Sequence, residues 1–549
     1  MKTNSHTSFS YGCLLWFLLT LGNKNIFAQQ QNIIPLPVTM KALNTRNVVV
    51  INSGTIIYYD SVFAPQATYL QRELKSQIGL TLIVKPTTKT QNKNGIYLIQ
   101  SNLSRAEMYC LCANRKTVKL KAADVRGIIN SIQTLLQLLP ISKTDKIQVA
   151  AIHIEDYPRF AYRGMHLDVV RHFFSVSYVK KYIDYLTFHK FNTFHWHLTD
   201  DQGWRIEMKS YPRLNSIGSW RDSTLIGHFK TSPAKYDRKR YGGFYTKQEI
   251  QEILEYATVR GITVIPEIDI PGHSRAVIAA YPELSTRPDT TWNVATTWGM
   301  YNRQNNVLAP NPTTFLFLKE VFTELCTIFP AQYIHIGGDE CSKTWWKTDS
   351  ISQNFMRENK LKNETELQTY FIEYVAEILK KINRRPVGWH EIMEGKLDST
   401  TLIMNWGDDK KALEAAENGF NMIMTPGKPY YFDHYQSKNS TDSLAIHGYN
   451  PLEAVYKYDP VPTDLQSKNL GHKVLGGQGN VWTEYMASPE KVDYMIFPRM
   501  TALSESLWIQ QDRKNYSDFL YRLNASALPR YQWWHSSFFK LFTQWKIDN

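Results

Sequence analysis

Two carboxylates stand side by side at Asp339-Glu340, closing the run Tyr333-Ile334-His335-Ile336-Gly337-Gly338-Asp339-Glu340. The alternating β-branched and aromatic start of that run reads as a buried strand. The double glycine frees the backbone to turn at its end. In a parallel α/β protein the C-terminal end of a strand is where chemistry is done. Neighbouring carboxylates disfavour each other's ionisation, so one can hold a proton near neutral pH. A protonated carboxyl in a cleft is what acid-catalysed cleavage of a sugar bond needs. The competing role for an Asp-Glu pair is a helix N-terminus, where the dipole favours acidic residues.

Other polar and aromatic residues recur at comparable places. His195-Trp196-His197-Leu198-Thr199-Asp200-Asp201 closes one apolar run, and Glu267-Ile268-Asp269-Ile270-Pro271-Gly272-His273 closes the next. Trp389-His390-Glu391, Trp406, Tyr431 with Asp433, and Trp482 with Glu484 follow in order. Core packing accounts for one such coincidence but not for the series. The His195-x-His197 spacing puts both imidazoles on one face of a strand and could in principle hold a metal. No other histidine falls in a matching place, so a hydrogen-bonded role is favoured and no metal or cofactor is expected.

These residues need strands to carry them. Strand-like runs are Tyr162–Asp168, Phe191–His197, Ile262–Ile268, Tyr333–Gly337, Pro386–Trp389, Leu402–Asn405, Asn421–Met424 and Val474–Val481. Between them lie segments of helical spacing, such as Val179, Ile183 and Leu186, or Glu249 to Val259 followed by Gly261 as a C-terminal stop. Eight strand–helix units in about 350 residues predict a (β/α)8 TIM barrel. Ahead of it, Val48-Val49-Val50-Ile51 and Gly95-Ile96-Tyr97-Leu98-Ile99 are strand-like, and Ala67 to Ile78 and Val125 to Leu139 are helix-like. This predicts a small α+β domain. The expected organisation is a signal peptide over 1–28, the α+β domain over 32–155, the barrel over 156–511, and an aromatic-rich extension over 512–549 packing on the barrel.

Bulk composition agrees. The 549 residues are 43% hydrophobic and 13% aromatic, enough for sizeable cores and for rings that stack on sugar faces. The formal charge is +13, but its basic runs are short and scattered, so a solvated face is favoured and no nucleic-acid partner is expected. Lys2, the apolar run Cys13 to Leu21 and Ala28-Gln29 read as an export signal with its cleavage site, to a periplasm or outside the cell. That run is too short for a normal membrane span, and no transmembrane segment is expected. Cys110, Cys112, Cys326 and Cys341 show neither zinc spacing nor a disulfide framework and read as free thiols.

Taken together, the motifs resemble glycoside hydrolase family 20, the β-N-acetylhexosaminidases. They are Arg163-Gly164 with Leu167-Asp168, His195-Trp196-His197 through Asp200-Asp201-Gln202-Gly203-Trp204-Arg205, Tyr241-Gly242-Gly243-Phe244-Tyr245, Pro266 through His273, His335 through Glu340, and Trp482-Thr483-Glu484. The similarity covers about residues 32 to 510. One departure is visible: many relatives carry Gly-Trp-Asp-Glu where this chain has Gly388-Trp389-His390-Glu391.

The resemblance implies exo-acting release of terminal β-linked GlcNAc or GalNAc from glycans by substrate assistance. The 2-acetamido carbonyl would attack the anomeric carbon, with Glu340 as general acid and then base. Asp339 would orient the acetamido group and Tyr431 would hydrogen-bond its oxygen. Trp389, Trp406 and Trp482 would enclose the acetyl methyl. Arg163, Asp433 and Glu484 would bind ring hydroxyls. Asp200, Asp269 and His273 would support the carboxylate pair, Asp201 competing with Asp200 for that place. Two other readings remain at this stage: a conventional retaining β-glycosidase with a separate nucleophile, and a non-catalytic glycan-binding protein.

Overall fold

The computed structural model describes residues 32–43, 47–87, 93–395, 397–439 and 442–540. The expected signal peptide lies outside them, as does the end of the C-terminal extension. The described residues divide into two compact units, one of residues 32–157 with 515–534 and one of residues 158–514 with 535–540.

The first unit is built on a seven-stranded mixed sheet. Its spatial order is Thr39–Ala42, Ile152–Asp156, Tyr109–Asn114, Thr117–Ala122, Gly95–Gln100, Ile56–Tyr59 and Ile83–Pro86. Helices Ala64–Ile78 and Val125–Gln137 contribute its apolar filling. The second helix starts where Asp124 accepts from Gly127 N at 2.8 Å, a side-chain cap. Tyr109 ties sheet to helix, its hydroxyl 2.6 Å from Thr134 Oγ1 and donating to Asp156 at 2.7 Å. The α+β expectation therefore holds here.

The C-terminal segment differs from expectation. Asn515–Trp534 groups with this first unit, not with the barrel. Arg522 donates to Ile33 O at 3.0 Å and Arg530 to Gln77 Oε1 at 3.0 Å. Aromatic content marked this stretch as buried; the two buried guanidiniums that decide which surface it meets carry no such signal.

The second unit is a closed barrel of eight parallel strands in chain order: Tyr162–Asp168, Thr193–His197, Thr263–Ile270, Tyr333–Gly337, Arg385–Trp389, Leu402–Asn405, Asn421–Met424 and Val474–Gly479. The last closes on the first, Arg163 pairing with Gly477. Helix Val176–Phe188 buries Val179, Ile183 and Leu186 completely, as their spacing requires. Helix Lys247–Val259 opens with a reciprocal cap between Thr246 and Glu249, and Gly261 just beyond it takes φ 70°. Among the described residues no helix is long and apolar enough to cross a membrane.

Candidate active site

The barrel interior beneath the site is polar and centred on Glu267. His197 Nδ1 lies 2.5 Å from its Oε2 and His335 Nδ1 2.9 Å from its Oε1, where Trp389 Nε1 also donates at 2.9 Å. His195 Nε2 is 3.1 Å from Oε2. All of these side chains except Trp389 are fully buried, and Trp389 is 1% exposed. Burial works against charge on His197, but Glu267 overrides it and pushes the imidazole up to about 10. His195, by contrast, is pushed down to about 4 by burial and by its neighbour His335. His197 has both nitrogens engaged, Nδ1 on Glu267 and Nε2 on Asp200 at 2.9 Å. That is the hydrogen-bonded role the sequence favoured over metal binding.

From Asp200 the network climbs to the strand ends. Asp200 Oδ2 pairs with Arg171 at 2.7 Å, and Oδ1 stands 3.0 Å from His273 Nδ1. The other ring nitrogen of His273 faces the acidic pair, 3.7 Å from Asp339 Oδ2 and 3.6 Å from Glu340 Oε2. Burial alone would discharge His273; Asp200 instead holds it well above the ordinary imidazole value. Its proximity pulls Glu340 below the usual carboxylate range, although that side chain is 48% exposed. Asp339 moves the other way, raised mainly by burial. Asp201 plays a different part, accepting from Arg275 N and Asn306 Nδ2 and lying 3.5 Å from His273. Asp200 is thus the closer partner.

The double glycine is required for this placement. Gly337 has φ 65° and Gly338 φ 95°, a left-handed region that side chains avoid. A Cβ on Gly337 would lie 1.7 Å from Asp269 Oδ1, and one on Gly338 would lie 2.3 Å from Ile392 Cγ2. The same Asp269 oxygen accepts from Gly338 N at 3.1 Å, fixing the turn that presents Asp339. Burial and the Asp339 charge raise Asp269 well above its ordinary value.

Aromatic side chains form the walls. Trp389 and Trp482 lie 5.9 Å apart between ring centres, and Tyr431 is 6.5 Å from Trp482. Trp406 packs with Trp389 and Trp482 in one apolar cluster and donates Nε1 to Glu391 Oε2 at 3.1 Å. Among the buried polar atoms of the described residues that lack a hydrogen-bond partner are three carboxylate oxygens of this site: Asp339 Oδ1, Asp433 Oδ1 and Glu484 Oε2. Carboxylate oxygens left open beside aromatic walls can accept from a ligand that carries hydroxyl and amide donors. Burial raises Asp433 and Glu484, each further affected by charged neighbours.

One expected residue is elsewhere. Arg163 is the second residue of its strand, at the end opposite these loops, and is 1% exposed. It donates to Lys190 O and Phe160 O and packs on Trp508. Arg171, three residues beyond the strand's last residue Asp168, is the arginine that stands among the site residues instead. It bridges Asp168 at 3.3 Å and Asp200, and lies 5.1 Å over the Trp482 ring. Glu391 was also missed as a site group. Burial, reinforced by Asp339, raises it to about 8. His390 stacks 5.1 Å from Trp406 and is 3.4 Å from Glu391.

The sequence model of the glycosyl hydrolase family 20 catalytic domain matches residues 160–511, and that of the family's domain 2 matches residues 30–157. The chain belongs to glycosyl hydrolase family 20. It is 39% identical over 506 residues to a beta-hexosaminidase of Porphyromonas gingivalis, covering 90% of this chain and 63% of the relative. A beta-hexosaminidase of Vibrio furnissii is 42% identical, with 72% and 64% covered. The chain therefore spans somewhat less than two thirds of the length of these two relatives. Among solved structures, an exo beta-N-acetylglucosaminidase of Vibrio harveyi in complex with N-acetylglucosamine superposes with TM-score 0.82 at 32% identity, covering 94% of this chain and 79% of that one. A Streptomyces plicatus beta-hexosaminidase mutant in complex with GlcNAc gives 0.78 at 30% identity, covering 93% and 97%. The fold and family expected from the sequence are thereby shown.

Proposed function

We propose that this chain is an exported, exo-acting β-N-acetylhexosaminidase that releases terminal β-linked GlcNAc or GalNAc with retention, using the substrate's acetamido group as nucleophile. The observation that carries the reading is the joint approach of Asp339 and Glu340 to one nitrogen of His273. It puts both carboxylates on the same side of the site. A conventional retaining enzyme needs its nucleophile across the sugar ring from the acid. Two adjacent carboxyls suffice when the nucleophile arrives with the substrate.

In the proposed sequence, Glu340 protonates the leaving oxygen while the acetamido oxygen closes on the anomeric carbon. His273 holds Glu340 below the usual carboxylate range, and Asp200 holds His273 above the ordinary imidazole value, so the pair favours the proton on the ring. A bound sugar buries Glu340 and removes its water, which raises its proton affinity. Proton transfer from His273 Nε2 to Glu340 then charges the acid, and Asp200 with Arg171 sets the balance. Asp339 takes the acetamido N–H and stabilises the positive charge of the oxazolinium. Tyr431 donates to the acetamido oxygen, and Trp389, Trp406 and Trp482 enclose the methyl. Arg171, Asp433 and Glu484 bind the ring hydroxyls. Glu340 finally draws a proton from the water that opens the intermediate.

The test is hydrolysis of paired chromogenic GlcNAc, GalNAc and glucose β-glycosides. Cleavage of the two acetamido sugars with near inertness of the glucoside is expected. Efficient glucoside cleavage with a trapped covalent glycosyl-enzyme would replace this reading with the conventional one. Binding of all three without turnover would make the chain a lectin.

A further inference from the structure

The first unit carries a side-chain cluster that the glycosidase reading does not use. In a strand, alternate residues share a face. On Tyr109–Asn114 and Ile152–Asp156, Tyr109, Leu111, Ala113, Ile152 and Ile154 point to the apolar interior and are at most 3% exposed. Cys110, Cys112, His153 and Glu155 therefore point the other way. Antiparallel pairing sets Cys110 opposite Glu155 and Cys112 opposite His153. The Cys110 Sγ is 3.9 Å from His153 Nδ1, and His153 Nε2 is 3.3 Å from Glu155 Oε1. One donor atom from each of Cys110, His153 and Glu155 falls within 4.8 Å of the other two. The His153 side chain is 30% exposed and that of Glu155 50%, so an ion can reach them from solvent.

We propose that this sheet face is a metal site in which Cys110 Sγ, one ring nitrogen of His153 and a carboxylate oxygen of Glu155 hold a single zinc-like divalent ion. Sulfur, nitrogen and oxygen donors together select a borderline-soft ion over calcium or magnesium. Tetrahedral zinc keeps such donors about 3.5 Å apart, given bond lengths of about 2.0–2.3 Å. The donor atoms, within 4.8 Å of one another, draw in to reach that spacing when the ion binds. Three protein donors leave the fourth position to water or to the Cys112 thiol on the same face.

A rival use of a Cys–His–Glu line is an activated nucleophile. Burial, Glu155 and Cys112 raise the Cys110 thiol, so it is not a standing thiolate. A metal ion supplies what the protein alone does not: it displaces the thiol proton to solvent and takes the sulfur lone pair. Lys119 and Lys121 stand opposite Cys112 and Cys110 on the neighbouring strand. They weaken dication binding by an amount that salt screens. The expected affinity is therefore that of a surface site, higher at moderate than at low ionic strength.

The experiment uses the full-length reduced chain, stripped with a chelator and titrated with Co2+ and Cd2+. One ion per chain and a thiolate-to-metal charge-transfer band are expected. Cys110→Ser should abolish the band, and Glu155→Gln or His153→Ala should weaken binding by about tenfold or more. Cys326→Ser should change nothing, with circular dichroism confirming that each variant folds. The buried groupings His166/His195/Glu267 and Asp200/Asp269/His273 contain no sulfur, so ions held there give no such band. Absence of the band, its survival in Cys110→Ser, or rapid alkylation of Cys110 without metal uptake would each overturn the proposal.

Discussion

The free ring nitrogen of His273 stands 3.6 Å from the carboxylate of Glu340, at the end of a line of contacts that begins at Glu267 inside the barrel. The proposed acid would then be tuned from below, and substitutions along the line should separate chemistry from architecture.

Glu340→Gln should lose turnover on natural glycans by about 10²–10⁴-fold, the usual worth of general acid catalysis. A substrate with an activated phenol leaving group needs less protonation and should lose less. Steady-state rates on matched poor and good leaving groups check this; equal losses would remove Glu340 from the acid role.

Asp339→Asn should lower kcat with the fold retained. A thiazoline analogue of the cyclised intermediate should inhibit the wild type strongly, because it resembles a state the site stabilises. Its inhibition constant should worsen in the variant, measured by competition with a chromogenic GlcNAc glycoside.

Asp200→Asn should move the alkaline limb of the kcat/KM profile to lower pH. The sign follows from His273, which Asp200 keeps protonated well above the ordinary value. Without that charge His273 loses its proton at lower pH, and Glu340 loses its supply. An unmoved limb in a folded variant would show that the proton does not pass through His273.

Arg171→Met should cut kcat/KM by about 10–100-fold, the cost of one or two charged hydrogen bonds. Arg163→Met should instead destabilise by about 1–3 kcal/mol through loss of its bonds to Lys190 O and Phe160 O. The surviving folded fraction of the second variant should turn over normally. Thermal unfolding and active-site-titrated kinetics on both proteins decide between the two arginines.

Glu267→Gln should destabilise the barrel by about 3–5 kcal/mol at neutral pH, since it strips a buried charge from its partner. His197 sits near 10 in the folded protein against 6.5 ordinarily. Its stabilisation is therefore complete below about 6.5 and is lost as pH rises through about 10. The gap between wild type and variant should narrow over that window in urea unfolding followed by tryptophan fluorescence.

Much of the barrel was legible because buried parallel strands are short apolar runs bounded by turn residues. Tyr162–Asp168, Tyr333–Gly337, Leu402–Asn405 and Asn421–Met424 match their expected bounds, and the others shift by one to two residues. The acidic pair was legible because its two glycines announce a turn at a strand end. Arg163 was misassigned because motif similarity marks a segment, not which end of a seven-residue strand faces the site. Reading three residues past Asp168 would have found Arg171. Glu391 stood in the expected strand-end series, but its raised proton affinity was illegible because it comes from burial first and then from Asp339, a neighbour in space and distant in sequence. The segment Asn515–Trp534 was assigned to the wrong unit because hydrophobicity tells that a surface is covered, not by what.

Gly337 turns this site into a property of main chain. Its missing Cβ lets Asp269 come within bonding range of the next amide, and that single contact aims Asp339. Grafting the polar residues onto another barrel would fail unless this kink travelled with them. A saturation library at Gly337 should return only glycine among active clones, whatever is allowed to vary at the carboxylates themselves.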